Sequence, residues 1–524
     1  MEQYKAYCNK LTKIKNQAKQ KYYSKRFEES KNNLKATWKL IGTLIKRQTK
    51  GQVDIPRIVR NNKEYTNKTD IANQMNEHFI NVGPNLANKI QNTNQDPTSY
   101  IKQYPNENFY TTPVNTEQVS KLFSQLDENK SSIGTPIKLI KIALNYLVHP
   151  ITFIYNESLR TGIVPNVLKI SKVTPIYKSG SMTDPDNYRP IATLSPFSKV
   201  LEKLMYDQLL SFLTKHNILY KYQFGFRRNY STELAILEIT DTFRFNLDNK
   251  LTTCGLFLDF SKAFDTINHH ILLAKLQKYG IKDTPILWFR SYLENRLQYA
   301  KIKNVESMKL QMKCGVPQGS TLGPLLFLLY INDIANSSDK LHFRLFADDT
   351  NLFYAAKTSD ELQRVMNEEL KHVLRYCKIN KLSVNFKKTN FMLLAPRNYK
   401  PLVKINNIEY KPYIKYLGVY IDDKLNWEYQ IKHINDKLSK NTGIISGLRH
   451  YMNLKMIRQL YFNLIYPYLN YALLSWGINY PSNLKKCCKT KQSRKINILR
   501  KLKRTIQSIL QATQYHETGR HTQT

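Results

Sequence analysis

The spacing of apolar residues predicts helices along most of the chain. In the first fifty residues, Leu11, Ile14, Ala18 and Tyr22 recur at helical spacing and predict one or two helices. The same criterion predicts helices in seven later segments: Ile71–Ile80, Leu139–Leu159, Phe197–Phe212, Phe264–Ala274, Trp288–Leu297, Leu325–Ile331 and Glu361–Tyr376. Further aromatic-rich helices are expected up to Trp476.

Short apolar runs rich in β-branched and aromatic residues predict strands between these helices. The predicted strands are Val173–Lys178, Thr252–Phe260, Val384–Thr389 and Tyr416–Ile421. Two further runs, Leu341–Leu345 and Leu352–Tyr354, predict the arms of a hairpin with Asp348 and Asp349 at its tight turn. The mixture predicts an α+β fold.

Adjacent carboxylates repel each other, so Asp348 and Asp349 indicate a bound cation. Asp259 follows another short apolar strand, at a position where functional groups are common in sheets. On neighbouring strands the three carboxylates would converge. Hard oxygen donors suit Mg²⁺, and two such ions can clamp a phosphoryl displacement. By itself, Asp259 would more simply be a helix cap.

Two further features fit phosphate chemistry. Lys178 and Arg189 lie on opposite sides of a turn and could reach one phosphate chain together, although either alone would be an ordinary surface cation. The segment Gly315–Ser320 contains two glycines and a proline, which permits an unusual turn where backbone groups approach a ligand closely.

Composition and charge point to a polyanionic partner. The 524 residues carry a formal net charge of +40, for which nucleic acid is the first candidate and a basic protein without such a partner the alternative. Residues 1–50 hold 14 Lys and Arg against three Glu, and residues 481–524 hold 11 against one Glu. The N-terminal helices are equally well interpreted as a nucleic-acid arm or as a solvated face.

The six cysteines form no C-x-x-C pair, which fits a reducing compartment. The longest apolar run, Pro324–Ile331, is too short to span a bilayer. We therefore expect a soluble, intracellular protein without a membrane partner.

Six motifs in order resemble the reverse transcriptases of non-LTR (LINE-type) retrotransposons, most of all the Jockey/CR1-like branch. They are Asn-Tyr-Arg-Pro at 187–190, Leu-Asp-Phe-Ser-Lys-Ala-Phe-Asp at 258–265, Gly-Val-Pro-Gln-Gly-Ser at 315–320, Phe-Ala-Asp-Asp at 346–349, Lys-Thr at 388–389 and Tyr-Leu-Gly at 416–418. The resemblance implies a right-hand polymerase with fingers, a palm built on an antiparallel sheet and an α-helical thumb, behind a basic helical N-terminal extension. It also implies an RNA-directed DNA polymerase that transfers a nucleotide from a dNTP to a primer 3′-hydroxyl with two Mg²⁺ ions, for which Mn²⁺ can substitute.

Family roles carry over to matching positions. The resemblance implies that Asp259, Asp348 and Asp349 hold the metal ions and that Lys388 protonates the leaving pyrophosphate. The alternative for Asp349 is that it holds the turn or orients the primer end. The dNTP would contact Lys178, Arg189, Gln318 and Phe264, whose ring would exclude a ribose 2′-hydroxyl. Gly319, Tyr416, Leu417 and Gly418 would contact template and primer, and Gln223–Phe226 would be structural. Without the motifs, Phe264 would be a core residue of a helix and Lys388 a surface charge.

The predicted domains are a basic arm (1–60), an N-terminal extension (61–155), fingers and palm (156–422), a helical thumb (423–480) and a basic tail resembling a degenerate end (481–524). The expected partners are an RNA template, a DNA primer or target, and dNTPs, in the nucleus. The family's endonuclease is expected to come from another chain. The alternative function is an inactive nucleic-acid-binding remnant; an RNA-dependent RNA polymerase is disfavoured by Phe264 and the Phe-Ala-Asp-Asp motif.

Overall fold

The computed structural model describes residues 1–30, 33–44, 55–102, 105–130, 132–396, 403–449, 451–452 and 454–477. Its α-helices are α1 (Glu2–Glu29), α2 (Leu34–Leu44), α3 (Lys68–Asn88), α4 (Thr116–Ser124), α5 (Ile137–Ile142), α6 (Leu144–Thr161), α7 (Pro196–Lys215), α8 (Thr232–Asp248), α9 (His269–Lys278), α10 (Asp283–Leu293), α11 (Leu322–Ile331), α12 (Ser359–Ile379), α13 (Glu428–Leu448), α14 (Leu454–Leu464), α15 (Tyr466–Asn470) and α16 (Leu473–Trp476). Its strands are β1 (Ile58–Arg60), β2 (Lys63–Tyr65), β3 (Ile170–Tyr177), β4 (Tyr188–Leu194), β5 (Thr252–Leu258), β6 (Leu297–Ile302), β7 (Val305–Glu306), β8 (Leu310–Gln311), β9 (His342–Phe346), β10 (Asp349–Ala356), β11 (Asn390–Leu394), β12 (Glu409–Tyr410), β13 (Tyr413–Tyr416) and β14 (Val419–Asp422).

The chain forms two compact units. The larger unit comprises Gln52–Ala235 and Phe245–Lys411, and the smaller unit comprises Met1–Gly51, Ile236–Arg244 and Pro412–Thr524. Mixed helix and sheet content confirms the predicted α+β class. The domain boundaries drawn from the sequence stay a prediction, and the predicted basic tail, 481–524, lies outside the described residues.

The main sheet of the larger unit has the strand order β12-β11-β5-β10-β9. Every residue of the central strand β5 is buried, because β10 and β11 pair with its two edges in antiparallel register and helices cover the sheet. Helix α11 is buried at every residue except the half-buried Pro324, as expected for a helix that is apolar all round. The ends of β5 and β10 carry the predicted acids.

A second sheet has the order β4-β3-β6-β7, with β8 also paired to β6. Strands β3 and β4 form an antiparallel pair in which Ile176 lies opposite Arg189. Helix α3 packs its apolar side, including Met75 and Phe79, against Val173 and Tyr188 of this sheet. The segment preceding the predicted fingers therefore shares a core with them.

In the smaller unit, β13 and β14 form a hairpin that leads into α13. Asp422 ends the hairpin, and its carboxylate accepts hydrogen bonds from the backbone amides of Asn426 (3.0 Å) and Trp427 (2.7 Å). This contact fixes the start of α13. Most side chains of α1 are exposed, with Phe27 buried. No helix within the described ranges is both long and apolar enough to cross a membrane.

Most predicted elements are confirmed, but four differ. Helix α9 begins at His269, so Phe264 lies in a turn; Asn268 caps the helix by accepting from the amide of Ile271 at 3.1 Å. Helix α10 ends at Leu293, four residues before the predicted end. Residues 384–389 precede β11 and contribute only a bridge between Val384 and Phe260. The segment Tyr416–Ile421 spans the last residue of β13, the turn and the first three residues of β14, and it is not one strand.

Candidate active site

The predicted acids lie at the tip of the hairpin formed by β9 and β10, which we call the acidic hairpin. Phe346 pairs with Asp349, leaving Ala347 and Asp348 as a two-residue loop. Ala347 has φ +54°, as the first central residue of a type II′ turn does. Asp348 therefore projects from the tip, and Asp349 begins β10.

Asp259 follows β5, the neighbouring strand. Leu258 pairs with Thr350, so continuing the register by one residue places Asp259 opposite Asp349, on the same face of the sheet. The backbone of Asp259 is held by the segment before β11: its amide donates to the Thr389 hydroxyl (3.3 Å) and its carbonyl accepts from the Asn385 amide (2.8 Å). The structure thus brings the three predicted acids to one edge of the sheet.

The neighbouring negative charges disfavour ionisation of Asp348 and Asp349. Burial raises the pKa of Asp348, the Asp259 charge raises it further, and the Arg189 and Lys178 charges oppose these effects. Burial, together with the charges of Asp348 and Asp259, raises the pKa of Asp349 to about 6. A cation among these groups would relieve both effects.

Hard carboxylate oxygens under mutual repulsion fit a divalent cation, and Asp259, Asp348 and Asp349 are the residues that would hold it. Within the part of the chain that the structure describes, no three His, Cys, Asp or Glu side chains are already grouped closely enough to form a metal site. The identity of the metal ion stays a prediction.

Three predicted cations lie around the acids. The Lys388 ammonium is 4.0 Å from the Asp259 carboxylate. Lys178 and Arg189 are exposed. Ile176 lies opposite Arg189 in the β3–β4 pair, and Lys178, two residues after Ile176, points to the same face of the sheet. The two cations are therefore diagonal neighbours on one face. Partial burial and the positive charges of Arg189 and Lys388 lower the pKa of Lys178. A polyphosphate anion would relieve the repulsion among these cations.

Phe264 lies in the turn between Asp259 and α9. Its ring stacks on Phe327, with centroids 4.6 Å apart, and meets Phe226 edge to face at 6.1 Å. Its carbonyl accepts from the amide of Val316 at 3.0 Å. The ring is therefore fixed by tertiary contacts, and its role as a sugar gate stays a prediction.

Gln318 and Gly319 are fixed against β4. The Gln318 carbonyl accepts from the amide of Ala192 at 2.7 Å. A Cβ on Gly319, whose φ is +130°, would lie 2.3 Å from the Ala192 carbonyl oxygen, so glycine is required there. The Gln318 side chain donates to both oxygens of Asp265, each at 2.9 Å.

Sequence reasoning assigned no specific contact to Gln223, which supports the acidic hairpin directly. We define the Gln223 segment as residues 222–226. It runs beside β9, with reciprocal backbone hydrogen bonds from Phe224 N to Leu345 O (2.8 Å) and from Leu345 N to Tyr222 O (3.0 Å). The side-chain oxygen of Gln223 accepts from the amides of Ala347 (2.9 Å) and Gly225 (2.8 Å). The motif Gln-Phe-Gly-Phe marks this segment in the sequence but does not indicate its partner.

Tyr416, Leu417 and Gly418 lie in the smaller unit, at the turn between β13 and β14. Leu417 has φ +44° and Gly418 φ +91°, and the Tyr471 hydroxyl donates to the Leu417 carbonyl at 2.6 Å. The turn is thus held by its own unit, and its contact with a primer stays a prediction.

The segment 176–421 matches the family described as reverse transcriptase (RNA-dependent DNA polymerase). It contains the acidic hairpin, Asp259 and the three cations. The chain thus contains a segment that is similar to reverse transcriptases.

Two of the relatives are polymerases of insect mobile elements. The chain is 29% identical over 399 residues to the probable RNA-directed DNA polymerase from transposon BS of Drosophila melanogaster, covering 71% of this chain and 43% of that protein. It is 26% identical over 428 residues to the RNA-directed DNA polymerase from mobile element jockey of the same species, covering 77% and 46%. The predicted resemblance to LINE-type reverse transcriptases is thereby confirmed. The chain spans less than half the length of these relatives.

Among solved structures, an apo telomerase from Candida tropicalis truncated from its C-terminal domain is 16% identical, with a TM-score of 0.34, covering 50% of this chain and 54% of that one.

Proposed function

We propose that this chain is an RNA-directed DNA polymerase that adds nucleotides from dNTPs to a primer 3′-hydroxyl on an RNA template. The observation that carries the proposal is the juxtaposition of two charge groups. Asp259, Asp348 and Asp349 share one edge of the main sheet, and Lys178 and Arg189 are close enough to act on the charge of Asp348. Such an arrangement suits a reaction whose substrates are a hydroxyl and a triphosphate.

In this proposal the acids hold two divalent cations, with Mg²⁺ as the expected ion. When bound, these ions supply charge neutralisation at the attacking 3′-hydroxyl oxygen and at the leaving pyrophosphate. Lys178 and Arg189 bind and orient the triphosphate. Lys388 would give a proton to the leaving pyrophosphate, and its position 4.0 Å from Asp259 is compatible with that role.

The remaining assignments concern the sugar and the duplex. Phe264 would exclude a 2′-hydroxyl, and Gln318 and Gly319 would contact the incoming nucleotide and the template. In hand terminology, the main sheet would be the palm, the β3–β4 sheet would belong to the fingers, and α13–α16 would form the thumb. The positive charge of the chain would bind a heteroduplex mainly through its phosphates.

The test is primer extension on an RNA template with dNTPs and Mg²⁺, comparing the parent with Asp348→Ala. We expect incorporation by the parent and a loss of at least ~10³-fold in the rate of the variant. The reason is that the divalent cations, which would stabilise the charge of the transition state, would lose one of their ligands. Asp339→Ala is the matched control, since Asp339 is an 89% exposed acid paired only with Lys102 among the described contacts.

The control should retain parental incorporation. A parent that binds heteroduplex tightly but incorporates no nucleotide would refute the proposal and favour the inactive nucleic-acid-binding remnant.

A further inference from the structure

Asp265 is a second acid of the motif that contains Asp259, and the proposed chemistry does not use it. Its carboxylate accepts two hydrogen bonds from the Gln318 side-chain nitrogen, both at 2.9 Å. Gln318 is the residue expected to contact the incoming nucleotide. The pair therefore connects a partly buried acid to the proposed nucleotide site.

The backbone around Asp265 leaves it little freedom. A Cβ on Gly83 of α3 would lie 2.0 Å from the Asp265 carbonyl oxygen, and one on Gly315 would lie 2.9 Å from its Cα. The Cys314 thiol donates to the same carbonyl at 3.2 Å. The Gln318 carbonyl is held by the amide of Ala192. The backbones of Asp265 and Gln318 are therefore both fixed, and only the orientations of their side chains can vary.

An ionised carboxylate selects one orientation of a neighbouring amide. It has acceptor oxygens and no proton, so only the nitrogen end of Gln318 can face it favourably. A protonated acid, or an Asn in its place, could also donate a hydrogen bond to the amide oxygen. Either amide orientation would then be satisfied.

We propose that Asp265 is a positioning residue, which holds the Gln318 amide with its nitrogen turned inward so that the amide oxygen is the end offered to a donor group of the nucleotide. This inference rests on the proposed function, in which Gln318 contacts the nucleotide. Asp265 itself would not touch the substrate.

The positioning should depend on pH. Burial raises the pKa of Asp265 to about 6, against opposing effects of the Gln318 amide and of the charges of Lys262 and His78. The titratable groups that face it are Lys262 in its own turn, His78 on α3 and the Cys314 thiol. Above this pH the carboxylate is ionised and the amide has one orientation; as the pH falls through about 6 that selection is lost.

The first measurement separates KM from kcat for dNTP incorporation between about pH 5 and about pH 8. In the parent we expect KM for dNTP to rise about three- to tenfold at the acid end, the size of one neutral hydrogen bond. Asp265→Asn should show the raised KM at every pH. In a Gln318→Met background the same substitution should have no further effect on KM, because Asp265 acts only through Gln318.

The second measurement does not need activity. In protein labelled with ¹⁵N-glutamine, the side-chain NH₂ signal of Gln318, assigned by its loss in Gln318→Met, should shift with a midpoint near pH 6 in the parent and stay fixed in Asp265→Asn. Thermal melting and heteroduplex binding report whether each variant is folded.

A Gln318 signal that does not move in the parent, or that moves equally in Asp265→Asn, would overturn the positioning role. So would an additive effect of the two substitutions on KM. A parent that incorporates no nucleotide would refute the proposed function alone, and the NMR titration would still decide whether Asp265 orients Gln318.

Discussion

Replacing Gln223 by Met removes the side-chain oxygen that supports the acidic hairpin while keeping a chain of similar length. Gln223 is 1% exposed and Ala347 4% exposed, so water cannot readily replace that oxygen. The amides of Ala347 and Gly225 would both lose their acceptor.

The size of the effect follows from these two bonds. A buried N–H without an acceptor costs about 1–3 kcal/mol, which gives about 2–6 kcal/mol for the pair. Either the turn stays in place and the free energy of unfolding falls by this amount, or the turn moves to find other hydrogen-bond partners. In the second case Asp348 moves, and a misplacement of about 1 Å in an active site lowers the rate by about 10²-fold.

The assay combines urea unfolding with single-nucleotide incorporation and heteroduplex binding. Gln277→Met, on the exposed side of α9, is the matched control and should change stability by less than about 0.5 kcal/mol. Gln223→Glu keeps an oxygen acceptor and replaces the nitrogen, which has no partner among the described residues, by a second carboxyl oxygen. Because burial favours the neutral carboxyl group, this variant should retain more activity than Met. Parental stability together with parental incorporation in Gln223→Met would refute the reasoning.

Two further substitutions test the surrounding contacts. Gly225→Ala would place a Cβ 2.3 Å from the amide nitrogen of Ala347, so we expect a lower free energy of unfolding and, if the turn moves, about 10²-fold less incorporation. The control Gly443→Ala, with nothing within 4 Å of the added Cβ, should leave incorporation unchanged. Equal effects of the two substitutions would contradict the packing argument. Phe264→Ala should raise the use of rNTP relative to dNTP in competition assays and cost about 0.5–1.5 kcal/mol for the lost ring contact with Phe327. Unchanged sugar discrimination, as expected for the control Phe245→Ala at a 67% exposed position, would remove Phe264 from the sugar site.

Local chemistry determined much of the fold. The acidic hairpin follows from two apolar runs flanking adjacent acids, and the end of α6 follows from Gly162, which adopts φ +71° there. The apolar run in α11 predicted a helix, and its uniform apolar character also accounts for the burial of that helix. Such features depend on neighbours within a few residues, so the amino-acid pattern alone carries them.

Tertiary contacts decided where other segments end. The apolar spacing of Phe264, Ile267 and Ile271 predicted a helix directly after Asp259. In the folded chain the Phe264 carbonyl accepts from Val316 and the Ser261 amide donates to Ser383, so this backbone is held by distant segments. Those bonds hold the turn open until Asn268 caps α9, and no local periodicity reports them.

The site itself shows the same division. The sequence alone supplied its acids, its cations and the likeness to a polymerase family, because those residue types are chemically distinctive. It did not identify the residues that hold these groups in place. Gln223 binds Ala347 across 124 residues of chain, and Asp265 binds Gln318 across 53. Both pairs form only because strand pairing and loop closure bring remote backbone together, so only the tertiary structure could identify them.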